Sequence, residues 1–292
     1  MLKKLYSYDF GAIGKKMWLF TLILLGTTAV GCGAVSALNY IEWESFKIAT
    51  GGLMAGLGML VFLSYAAIIA YSVIAFVMII ARFYSNLFTD EGYLTFTLPV
   101  KTGTIYDAKL LAGGLWMVIT SAVELVCLAI LIMFTINFDN LPEFIAGLSE
   151  GLKFVFEYVP AGHIAAFIVE FILICVLSLA YQIVLLYISI TIAAVIAKKA
   201  RFVIGTVFYF IINSVVGTVG SVITVIVMIA MSSSTAFGMA MTEEVLDMAS
   251  TISFACWEFH AQFIVNIFVF GAAAVAGYFI NKSLLKNKLN LP

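Results

Sequence analysis

Six stretches of the chain are apolar for about 20 residues or more, the length a helix needs to cross a bilayer. They cover residues 17–38, 53–81, 110–136, 164–197, 202–231 and 261–280. Hydrophobic residues make up 64% of the 292 positions and charged residues 11%. A soluble domain is about half apolar and about a quarter charged, and no soluble core of this size could hide the excess. The mean hydropathy is +1.14. The chain is therefore read as an all-α, polytopic membrane protein with six transmembrane helices, forming one transmembrane domain over residues 1–292. The first apolar run begins late, is long enough to span and lacks a small-residue cleavage site, so it is expected to be a span and not a cleaved signal.

Charge asymmetry orients the spans. Lys3, Lys4, Lys15 and Lys16 precede the first span. Arg82, Lys101 and Lys109 lie between spans two and three, and Lys198, Lys199 and Arg201 between four and five. Lys282, Lys286 and Lys288 follow the last. The opposite side keeps only Lys47 and Lys153 and is otherwise acidic. This predicts both termini in the cytoplasm.

The connecting segments carry their own patterns. Leu2, Tyr6, Phe10, Ile13 and Met17 recur at steps of three and four with the lysines off the stripe, which predicts an interfacial amphipathic helix over 1–16. Leu141, Ile145, Leu148, Leu152 and Val155 predict a second short helix within the extracellular segment 137–161. In the extracellular segment 232–260, Thr242 can cap a helix whose first turn holds Glu243 and Glu244 and whose apolar face is Met241, Val245, Ala249 and Ile252.

Motifs for independent catalysis are absent. No G-x-x-x-x-G-K-[ST] occurs, so no P-loop binds nucleotide, and there is no H-E-x-x-H or G-x-S-x-G. Cys32, Cys127, Cys175 and Cys256 form no C-x-x-C pair. No catalytic residue, metal site, resident cofactor or nucleic-acid partner is expected.

The most informative segment is the predicted cytoplasmic loop 82–109. It is too long for a simple connection and too aromatic for a solvated linker. Phe83, Tyr84, Phe88, Tyr93 and Phe96 stand among Arg82, Asp90, Glu91 and Lys101. Aromatics beside charges suit either a docking surface or a loop anchored among lipid headgroups. Thr89 can cap a short helix bearing Asp90 and Glu91 in its first turn, Pro99 closes the ordered run, and a second helix starts near Thr102.

Within this loop Arg82, Phe83, Tyr84, Asp90, Glu91, Gly92, Tyr93, Leu94, Thr97, Leu98, Pro99 and Val100 resemble the signature of ABC transporter permeases of the type-2 exporter class, membrane subunits of Gram-positive bacteria. Tyr8, Asp9 and Phe10 resemble that family's N-terminal connecting helix. The resemblance implies a coupling helix between spans two and three, with Arg82, Asp90, Glu91, Gly92 and Tyr93 coupling to the ATPase. It also implies separate ABC ATPase subunits that bind the ATP, a second identical or different permease, membrane lipids as surroundings, and export across the bacterial cytoplasmic membrane.

Three polar residues lie inside apolar runs: Glu124, Glu170 and Asn213. Charge at membrane depth is costly, so such groups face protein, water or a partner. They are possible intramembrane polar sites or hydrogen-bonded packing groups. If Glu124 and Glu170 lie in a pathway, the alternative function is a secondary transporter or channel.

Overall fold

The computed structural model describes residues 2–40, 48–97, 99–136, 141–197, 200–232 and 248–287. Every regular element among them is an α-helix: α1 (Leu2–Tyr40), α2 (Ile48–Phe88), α3 (Asp90–Phe96), α4 (Thr102–Thr135), α5 (Leu141–Tyr158), α6 (Ala161–Ile196), α7 (Arg201–Ser232) and α8 (Met248–Asn287). Six of these, α1, α2, α4, α6, α7 and α8, are long and apolar enough to cross a membrane. They cover the six apolar runs to within one residue and continue beyond them. At 1.5 Å per residue the 36 residues of α6 extend about 54 Å, against a hydrocarbon core about 30 Å thick.

Two expectations change here. The predicted N-terminal amphipathic helix is not a separate element, since α1 runs unbroken from Leu2 to Tyr40. Its lysines Lys3, Lys4, Lys15 and Lys16 are exposed, and Ile13 and Met17 are buried. Most of the predicted helix in 232–260, including Thr242, Glu243 and Glu244, lies outside the described residues; Ile252 belongs to α8. The helix expected near 141–155 is present as α5, which buries none of its residues.

The chain divides into two compact units, residues 1–100 with 104–149, and residues 101–103 with 150–292. In the first, α1 packs along α2 and α3 folds against the end of α2. Small residues permit the close approach, as between helices in lipid. A Cβ on Gly31 of α1 would overlap the Ser64 side chain of α2 and lie 3.0 Å from Leu131 of α4. Hydroxyls supply the polar links. Ser64 Oγ donates to the Thr27 carbonyl at 2.9 Å, and Thr21 and Tyr71 share a hydrogen bond of 2.8 Å. Gly31→Ala is expected to displace Ser64 and lower stability by about 1–2 kcal/mol, through lost hydrogen bonding and overpacking. Thermal unfolding in micelles reads it, and an unchanged midpoint would show that the helices part without cost.

In the second unit α6 packs against both α7 and α8, and α7 against α8. Tyr181, Leu185, Ile188 and Ala274 are the buried centre, flanked by Tyr209, Val216 and Phe270. Ala200 adopts a left-handed φ of 54° at the turn into α7, and Arg201 Nε donates to the Ala197 carbonyl at the end of α6 (3.0 Å). Large apolar side chains point outward in both units: Leu22, Val215 and Phe268 are each more than half exposed. Such a surface is unfavourable in water and ordinary in lipid, and the chain is accordingly a multi-pass membrane protein.

Candidate functional site

The predicted loop between the second and third apolar runs is an ordered elbow. The end of α2 is closed by Thr89, whose hydroxyl donates back to the Ser85 carbonyl. Thr89 was expected to cap α3 through that hydroxyl; its backbone carbonyl does accept the Gly92 N–H, at 2.7 Å. The chain then turns into the seven residues of α3. Gly92 is required by the turn. A Cβ there would sit 2.6 Å from the Leu87 carbonyl oxygen and 2.8 Å from its carbon, closer than real Cβ contacts occur.

Two of the five expected aromatics face inward. Phe83 and Phe88 are buried, at 1% and 4% exposure, and meet edge-on with centroids 5.9 Å apart. They pack the elbow and do not present a docking face. The exposed side is instead Glu91 and Leu94 of α3 with Thr97 just after it, spaced three apart, with Leu94 69% exposed. The backbones of Asp90 and Tyr93 lie in α3; their side chains are outside the description.

A buried charge cluster braces this elbow. Asp9 of α1 is 4% exposed and receives three donors. Arg82 Nε donates to Oδ1 at 3.2 Å, Asn86 Nδ2 donates to Oδ1 at 3.1 Å, and Lys109 Nζ of α4 donates to Oδ2 at 3.0 Å. Arg82 Nη1 also lies 3.9 Å from Glu91 Oε2. Asp9 and Lys109 form the buried, oppositely charged pair, as burial of charge requires, with Arg82 partly buried and Glu91 exposed at the rim. Tyr8 covers the Arg82 guanidinium, 5.2 Å from carbon to ring centroid. One turn further along α1, Trp116 Nε1 donates to the Phe10 carbonyl at 3.0 Å, and its ring lies against Gly14. Hence α1, the end of α2 and the start of α4 are tied at one level. A cleft of about 770 Å³ opens beside the brace, lined by Tyr8, Gly11, Lys15, Arg82, Ser85 and Glu91 among others.

Of the coupling residues read from sequence, Arg82 and Glu91 meet directly and Gly92 shapes the turn. Asp9, Asn86 and Lys109 are additions. Asp9 is the lone acid in a basic N-terminal segment, which is the signal that could have singled it out.

The three intramembrane polar residues all have partners. Ser72 Oγ donates to Glu124 Oε1 at 2.7 Å, joining α2 to α4. Tyr181 OH donates to Asn213 Oδ1 at 3.2 Å, joining α6 to α7. Glu170 of α6 pairs with His260 of α8 at 2.8 Å. The first two are interhelical hydrogen bonds of the kind that hold helices together in lipid. Among the described residues no three His, Cys, Asp or Glu side chains are grouped to hold a metal ion.

Compared with protein families, curated proteins and solved structures, the chain matches none of them.

Proposed function

We propose that this chain is the membrane-spanning permease subunit of an ABC exporter. It works in the bacterial cytoplasmic membrane with both termini inside, alongside a second permease. Separate ATPase subunits hydrolyse the ATP that drives a substrate outward. The observation that carries the reading is the elbow. α3 is held by a glycine-tight turn, joined to α1, α2 and α4 through the Asp9 cluster, and keeps the Glu91, Leu94 and Thr97 face open. A soluble motor pressing on that face would move three long helices together. The basic residues of 82–109 and of the N-terminus support an elbow on the ATP-containing side. The residues of 82–100 that resemble the exporter signature support the same reading.

The test is isolation of the intact complex from its native membrane. A P-loop ATPase should co-purify. Leu94→Glu should reduce substrate-stimulated ATP turnover about tenfold, equivalent to about 1.4 kcal/mol of lost coupling. Its own folding should hold, since exposed substitutions change stability by about 0.5 kcal/mol or less. Transport by the purified chain alone, without any ATPase, would refute the reading. Unchanged turnover in the variant would move the docking face elsewhere.

A further inference from the structure

The chain contains only two histidines, His163 and His260. They are 97 residues apart in sequence, and His163 Nδ1 lies 2.8 Å from His260 Nε2. The other ring nitrogen of His260, Nδ1, lies 2.8 Å from Glu170 Oε2. His163, Phe167 and Glu170 occupy one face of α6 at steps of four and three. His260 enters between them from α8, stacked on Phe167 at 4.1 Å with a 14° interplanar angle. It is 4% exposed. Trp257, one turn earlier on α8, meets the His163 ring edge-on at 5.4 Å. His163 and Glu170 also line a cleft of about 390 Å³ with Pro160, Ala166 and Trp257.

From this geometry we infer that Glu170, His260 and His163 form a proton-binding site, loaded from the His163 end. The proton count follows from what each atom can do. An ionised Glu170 only accepts, so His260 Nδ1–H donates to it. The neutral His260 ring then accepts at Nε2 from His163 Nδ1–H. One ring nitrogen, His163 Nε2, is left to take a proton from water. Taking it breaks no hydrogen bond and changes the charge of the three groups from −1 to 0. While Glu170 stays ionised, a second added proton must sit on His260 Nε2, which sets two N–H groups head to head across 2.8 Å and parts the histidines. The other acceptor is the Glu170 carboxylate, whose protonation leaves the line joined. The line therefore holds one exchangeable proton with α6 and α8 joined and releases the junction when a second arrives on a histidine.

Among the described residues, no further ionisable group joins these three. On the neighbouring elements the other ionisable side chains closest in sequence are Glu157 and Tyr158 of α5 and Cys256 and Glu258 of α8. Among the described residues no hydrogen bond or ion pair joins them to the three. From α7, which packs on both helices, the only ionisable residues are Arg201 and Tyr209, and they bond to Ala197 and Gln182. The site is independent of the transporter reading, because it rests on side chains of α6 and α8 alone.

With two histidines, ¹⁵N labelling of histidine resolves each ring in the full-length protein. Proton–nitrogen spectra in nanodiscs, recorded from about pH 8 to about pH 5, bracket ordinary imidazole titration. The expected result is two coupled steps and not two independent ones. In the first, His163 Nε2 gains its proton while His260 keeps its Nδ1–H tautomer. The second is accompanied by loss of the Trp257 ring-current shift on His163. Glu170→Gln should alter the response of both rings, because the carboxylate at the end of the line is gone. No proton uptake across the range, or two independent titrations indifferent to Glu170→Gln, would overturn the proposal. The wild-type spectra decide it even if the variant fails to fold.

Discussion

Replacing Asp9 by alanine is expected to cost the folded protein about 3–5 kcal/mol, the usual penalty for removing one partner of a buried ion pair. Three donors converge on that carboxylate from Arg82, Asn86 and Lys109. The Lys109 side chain is 4% exposed and cannot turn to water without moving α4. The loss should appear as a lowered unfolding midpoint in detergent titration. Asp9→Leu combined with Lys109→Leu should recover part of the loss, because it removes the buried Lys109 charge along with its partner, while Arg82 and Asn86 still lose an acceptor. A single Asp9→Ala variant as stable as the native protein would mean that the cluster is open to solvent and does not brace the elbow. Of the two variants, the double one separates stability from signalling. It should fold and yet fail to transmit a push from α3 to α1.

The second large effect is expected at Gly92. Alanine adds one carbon 2.6 Å from a backbone oxygen, and the backbone of Leu87 has no rotamer by which to withdraw. α3 must swing away from α2, at a cost of about 2–3 kcal/mol typical of overpacking against an unyielding neighbour. The swing also separates Glu91 from Arg82. Hydrogen exchange of residues 90–97 should rise well above that of α2, while the midpoint of global unfolding moves less than in the Asp9 variant. If exchange in α3 is unchanged, the tight turn is not what positions the helix.

Much of the architecture was legible before any coordinates. Twenty-residue apolar runs admit only one conformation in lipid, since each backbone polar group must be satisfied within its own segment. The breaks at Thr89 and Pro99 followed from local chemistry, and α3 lies between them. Three things were not legible. The extension of the helices beyond the apolar runs was hidden, because polar residues continue a helix without marking it. The inward facing of Phe83 and Phe88 was hidden, because an aromatic beside a charge is equally at home in a core or on a surface. The partners of Asp9 lie 73, 77 and 100 residues away, and no local pattern reports pairing at that range. The two histidines illustrate the same limit. They are 97 residues apart, and only the packing of α6 on α8 makes them one group.

The unbroken helices have a mechanical meaning. The four prolines, Pro99, Pro142, Pro160 and Pro292, all fall outside the six long apolar helices, and proline is the commonest cause of a sharp kink. α1, with 39 residues, is a rod about 58 Å long. Pivoting such a rod by about 5° at one end carries the other end about 5 Å, nearly the pitch of one helical turn. The Asp9 fastening grips α1 near its first residues, where leverage is greatest. A displacement of the elbow thus reaches the far end of the rod enlarged and undamped, with no joint between to absorb it.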